Sequence, residues 1–194
     1  MNYKNVLLAA KGKYVTFLCG DDVLNADCIQ KQFNILEKNQ NAAFSYGLVN
    51  FIGTKSGESE NYYKSSFSKG EYVRLSLSLA QNLNFQVGTL IRKECLPKDP
   101  IINLLYFDWF LWLYLGLNYE VMSINKVIGS YRRHNQATTI KSNNDLYYDD
   151  YKNLDLVLLK FKDCCDYEGS IILSRAKLFK RYIFLAFQKK LSLI

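Results

Sequence analysis

A chain of 194 residues, 49% hydrophobic and 22% charged, has the apolar material for one folded core, and this excludes an intrinsically disordered protein. Its net charge of +7 suits an anionic partner, a condition that a nucleotide, a phospholipid surface and a nucleic acid all meet. Five cysteines, at 19, 28, 95, 164 and 165, lack paired metal-site spacing, and their odd number argues against a closed disulfide framework and for a reducing cytoplasm.

In chain order, Asn2 to Lys11 reads as a short helix with Val6, Leu7, Ala9 and Ala10 on an apolar side, stopped by Gly12. Tyr14 to Leu18 then reads as a short buried strand that ends on Cys19, Gly20 and two adjacent carboxylates, Asp21 and Asp22. Neighbouring aspartates repel, so burying them together is costly unless a cation or hydrogen-bond donors compensate. A hard divalent cation shared with a phosphorylated substrate would do so. Equally, the pair caps the helix expected from Asn25 through Cys28, Ile29, Phe33, Ile35 and Leu36 to Lys38. Ala42 to Phe51 is apolar and β-prone, and a helix–strand–helix–strand order implies a parallel, mostly buried sheet.

Gly53 to Lys69 is polar and reads as a surface loop, with a lid over a site as the alternative. Gly70 to Ala80 is expected to be a helix carrying Tyr72, Val73 and Leu77. Asn84 to Arg92 is expected to be a strand, followed by a turn of helix at Lys93 to Leu96 that Pro97 and Pro100 close. Tyr106 to Leu113 is an aromatic, helix-length run with one carboxylate, so Asp108 serves as an N-cap and Trp109 and Trp112 as core. Val127 to His134 is an alternating strand that runs into Arg132, Arg133 and the only histidine of the chain.

Two further helices are expected, Asn144 to Cys165 and Ser170 to Leu193. Residues 160–194 hold eight Lys or Arg against three Asp or Glu, interleaved with aromatics. Such a helix either lies on an anionic membrane surface or packs back on the domain. No stretch reaches the uninterrupted apolar length of a membrane span, and Met1 to Ala10 lacks a secretory signal.

Taken together, the Gly12-to-Leu24 stretch, the Val87-to-Lys93 strand, the Tyr106-to-Leu113 run and the Tyr131-Arg132-Arg133-His134 strand end resemble glycosyltransferase family 2, across roughly residues 2–140. The resemblance implies an α/β fold: a partial GT-A (Rossmann-like) mixed sheet with flanking helices over residues 1–140; beyond Thr139 the pattern ends, and the residues themselves read as a helical C-terminal extension over 141–194. It implies a divalent metal, Mn2+ or Mg2+, held by Asp21 against the diphosphate of a nucleotide-sugar donor. Asp22, Arg132, Arg133 and His134 fall on the donor side; Gly88, Thr89 and Trp109 fall on the acceptor side. Asp108 falls on the base that deprotonates a hydroxyl of a saccharide or lipid-linked acceptor, with inversion at the sugar.

Two positions depart from the family pattern. Cys19 stands for the first Asp of the metal-binding region, and Phe107 for the Glu before Asp108. The nucleotide-gripping half expected about a hundred residues earlier has no counterpart here, because a βαβ unit needs about 30 residues. The chain is therefore expected to be a fragment or to have a miscalled start. A catalytically dead binding module of the same fold is the competing reading. No nucleic-acid motif is present, and the expected location is the cytoplasm, or the inner face of a membrane as a peripheral protein.

Overall fold

A computed structural model describes residues 7, 9–54, 56–58, 63–79, 82–97 and 107–134, together with 172, 176 and 179. Six strands form one mixed sheet: β1 (Tyr14–Thr16), β2 (Val23–Leu24), β3 (Ala42–Gly53), β4 (Gly57–Glu58), β5 (Leu90–Arg92) and β6 (Glu120–Arg133). Three α-helices accompany them: α1 (Cys28–Lys38), α2 (Glu71–Leu79) and α3 (Phe107–Asn118). The strand order is β1-β5-β3-β6-β2, with β4 added to β3.

The expected α/β mixed sheet is present, but the parallel sheet implied by element order alone is not. Only β3 and β6 run parallel, from Ala42 beside Glu120 to Gly53 beside Arg133. The pairs β1–β5, β5–β3, β4–β3 and β2–β6 are all antiparallel. Of the antiparallel pairs only β3–β4 joins strands adjacent in the chain, so element order alone does not reveal the strand directions.

The expected strand at Asn84–Arg92 contracts to Leu90–Arg92. Gly88 holds φ at +70°, a left-handed value that breaks a strand. Upstream, side chains satisfy the backbone in place of a ladder. Thr89 Oγ1 donates to the Phe85 carbonyl at 2.6 Å, and Asn84 Nδ2 donates to Thr89 Oγ1 at 3.2 Å. Likewise β1 stops at Thr16, short of Leu18, which is exposed.

Helix α3 is buried on nearly every side, through Trp109, Leu111, Trp112, Leu113 and Leu115. Trp112 packs on Phe44 of β3 with ring centroids 5.0 Å apart, and Tyr72 of α2 meets the same Phe44 edge-on at 5.7 Å. On the other side, Arg92 is buried and donates to the carbonyls of Leu36 (2.8 Å) and Ala42 (3.2 Å). It thereby adds a second bond to the Leu36 carbonyl at the end of α1, which also accepts the Asn39 N–H at 3.1 Å.

Leu7 and Ala9 are helical, in keeping with the N-terminal expectation, and the rest of Asn2–Leu8 lies outside the described residues. The C-terminal helices also lie outside them, apart from Ile172, Ala176 and Phe179, which are helical and exposed. Among the described residues, no helix is long and apolar enough to cross a membrane.

Candidate functional site

The chain leaves β1 and turns at Cys19–Asp22, where the Asp22 N–H donates to the Cys19 carbonyl at 3.2 Å. Asp21 and Asp22 do not cap α1; the capping position is Asp27, and its side chain makes no capping bond. The aspartates instead face the end of β6. There β2 pairs with β6, Val23 beside Ser130 and Leu24 beside Gly129. A Cβ on Gly129 would sit 2.6 Å from the Val23 carbonyl oxygen, so only glycine allows this approach.

The pairing delivers donors to the turn. The Arg132 N–H donates to Asp22 Oδ1 at 2.9 Å, and Arg132 Nε donates to the Asp21 carbonyl at 3.0 Å. His134 Nε2 lies 2.9 Å from Asp21 Oδ2. Cys19 Sγ and carboxylate oxygens of Asp21 and Asp22 all lie within 4.8 Å of one another. Two carboxylates converging with a third ligand atom fit a divalent cation. The thiol fits a hard ion such as Mg2+ poorly and a borderline ion well.

The neighbouring aspartates titrate in opposite directions. The bond from His134 holds the exposed Asp21 carboxyl below its ordinary range. Burial pushes Asp22 up, and the charge of Asp21 adds to this while the Arg132 N–H opposes it. Burial also raises the Cys19 thiol, with further upward pushes from Asp22, Asp21 and Asp108. That last contribution puts the carboxylate of α3 within electrostatic reach of the turn.

Asp108 is in the first turn of α3. Burial pushes its carboxyl up, opposed by the N–H groups of Trp109 and Asp108 and by Asn82. Asn82 Nδ2 donates to Asp108 Oδ2 at 2.9 Å, and its own Oδ1 is buried without a partner among the described residues. Asn82 is the residue that sequence reasoning missed. Only its place shortly before the Val87–Lys93 strand hinted at it.

The remaining expected site residues divide. Arg132 and His134 join the turn. The Arg133 guanidinium instead lies 4.1 Å from the Phe51 ring, because alternate residues of a strand face opposite sides. Gly88, Thr89 and Trp109 are buried, so none of them presents a side chain at the surface. The Gly88 carbonyl accepts from Gln32 Nε2, and Trp109 Nε1 donates to Ser76 Oγ at 2.7 Å.

This architecture is similar to S. aureus TarS, residues 1–349, in its complex with UDP-GlcNAc. The TM-score is 0.62 at 12% identity, over 81% of this chain and 45% of that one. The fold is glycosyltransferase-like. The UDP complex of TarS gives a TM-score of 0.50 at 13% identity, over 79% of this chain and 43% of that one. No family model matches the chain. Among curated proteins, the uncharacterized proteins Rv1520 of Mycobacterium tuberculosis and Mb1547 of Mycobacterium bovis are each 23% identical over 134 residues. Those residues are 69% of this chain and 38% of theirs. The chain thus spans less than half the length of each of these relatives.

Proposed function

We propose that the chain is the acceptor-side part of a family 2-type glycosyltransferase. It moves a sugar from a nucleotide-sugar donor to a hydroxyl of a saccharide or lipid-linked acceptor, with inversion. The observation that carries this reading is the carboxylate turn that the basic end of β6 holds by hydrogen bonds. The turn at Asp21 and Asp22, backed by Arg132 and His134, lies within electrostatic reach of Asp108. The likeness to TarS, crystallised with UDP-GlcNAc and with UDP, supports a nucleotide-sugar donor.

A divalent cation, when bound, would offset the charge of the departing diphosphate. Asp21 would hold the cation, with Asp22 and Cys19 beside it. Arg132 adds positive charge next to Asp21, and His134 orients the Asp21 carboxylate. Asp108, raised by burial, is a stronger base than an exposed aspartate and takes the proton of the acceptor hydroxyl. Asn82 fixes the rotamer of Asp108 through Oδ2.

The test compares sugar transfer by the 194-residue chain with transfer by the product of the entire coding region that contains it. The chain alone is expected to show no measurable transfer, since remote contacts to base and ribose position the reacting centre. The larger product is expected to transfer sugar, and Asp108→Asn is expected to lower that rate by about 10²–10⁴-fold. Undiminished transfer by Asp108→Asn would overturn the assignment of the base. Robust transfer by the 194-residue chain would overturn the acceptor-side reading. A second reading, an inactive binding module, is favoured by Cys19 where the family carries a carboxylate; donor binding without turnover in the larger product would establish it.

A further inference from the structure

We propose that Phe85, Tyr131 and Arg133 form the seat of an anionic acceptor sugar: an aromatic ledge stacks one sugar ring, and the arginine pairs with a carboxylate or phosphate on it. The inference names the acceptor class and rests on the reading of the chain as an acceptor-side part. The register of β3 and β6 puts Phe51 beside Tyr131 and Gly53 beside Arg133. Tyr131 and Arg133, two positions apart on β6, share one side of the strand. Phe85 arrives from the loop before β5. Its ring stacks on that of Tyr131, with centroids 5.5 Å apart and planes at 29°, and meets Phe51 edge-on at 5.6 Å. Phe51 is buried, whereas Phe85, Tyr131 and Arg133 are each half-buried.

Two features point to that ligand. The Arg133 guanidinium lies over Phe51, 4.1 Å from the ring centroid, and among the described residues no carboxylate pairs with it. A guanidinium with its flat face on a ring keeps its N–H edge for the two oxygens of a carboxylate or phosphate. Gly53, its neighbour on β3, has no side chain to compete for that edge. The second feature is place. The loop that carries Phe85 also carries Asn82, which donates to Asp108, and Asn84, whose Oδ1 accepts from the Tyr72 hydroxyl of α2 at 2.5 Å. Two side-chain bonds thus tie Phe85 to the loop that holds the proposed base. A sugar ring has an apolar C–H face and a polar rim, so it needs a flat apolar surface and a few fixed polar groups. This cluster supplies both, and the net charge of +7 draws an anionic ligand toward it.

The full 194-residue chain is titrated with methyl β-glucoside, methyl β-glucuronide, glucose 6-phosphate and inorganic phosphate, and binding is read by NMR through the ring resonances of Phe85 and Tyr131. At least one of the two anionic sugars is expected to bind about tenfold more tightly than the glucoside, and that one names the anionic group. Inorganic phosphate should bind more weakly than that sugar, since it has no ring to stack. Arg133→Gln should remove the preference for the anionic sugar, whereas Lys126→Gln, a charge change elsewhere on β6, should leave it intact. Tyr131→Leu should weaken glucoside and anionic sugar alike. A glucoside that binds as tightly as both anionic sugars would overturn the proposal. So would a preference that survives Arg133→Gln, one that falls equally in Lys126→Gln, or ring resonances of Phe85 and Tyr131 that do not shift. These titrations involve no donor, cation or turnover, so a failure of sugar transfer and a failure of saccharide binding are separate outcomes.

Discussion

The two aspartates closest to the proposed chemistry, Asp21 and Asp108, sit in opposite physical surroundings. Asp21 is at an exposed turn, and His134 holds its carboxyl below the ordinary range. Asp108 is in the first turn of a helix embedded in aromatic core, and burial pushes its carboxyl up. The difference teaches which role each can fill. A carboxylate kept ionised by a hydrogen bond is a ligand for positive charge, whereas one raised by burial takes a proton readily.

The largest expected effect comes from loosening the exposed half of this pair. Gly129→Val places a side chain against the Val23 carbonyl and separates β2 from β6. It should cost about 1–3 kcal/mol by denaturant unfolding and weaken cation binding, while Asp108 keeps its raised value. Loss of the Asp108 shift in that variant, read by carboxyl NMR titration, would show that the two halves are not independent.

Next comes the buried half. A carboxyl raised in the folded state penalises folding above its folded pKa, and the penalty disappears as pH falls through that value. Asp108→Asn should therefore stabilise the protein at pH 8 and change it little at acid pH. Asn82→Leu should destabilise by about 1 kcal/mol at pH 8, since it removes the side-chain donor to the carboxylate. Equal effects of Asp108→Asn at both pH values would contradict a buried, raised carboxyl.

The smallest effect belongs to the surface pair. Asp21 is lowered, so its contribution is present above the unfolded carboxylate range and is lost as pH falls through its folded value. Both partners are more than a third exposed, so solvent screens the pair. His134→Ala should move stability by less than about 0.5 kcal/mol while weakening cation binding about tenfold. A large loss of stability would make His134 a structural residue.

Much of this was legible in the sequence, and the reasons are particular. Ala42 to Phe51 is apolar enough to be read as a buried strand, and it is the centre of the sheet. The aromatic run around Asp108 marked α3, although the helix continues to Asn118. The Cys19–Asp22 turn and the Arg132–His134 strand end were visible as separate motifs. Their pairing was not, since it is set by a two-residue strand, β2, that has no periodicity to read. Asn82 was missed because its role depends on one contact across 26 positions, which composition does not encode. The strand expected at Asn84 failed where Gly88 and the Asn84 and Thr89 side chains bind the backbone locally.

The contacts that hold the turn also fix when it can form. Asp22 meets Arg132 across 110 positions, and Asp21 meets His134 across 113. Synthesis proceeds from the N-terminus, so both aspartates leave the ribosome long before their partners exist. Closing so long a loop is entropically costly, and the core of β3, β5 and α3 offers nearer contacts to form first. The turn with its β6 partners is then the last part of the sheet to assemble. Any chain that ends or stalls before residue 132 carries two adjacent aspartates with no N–H to receive them.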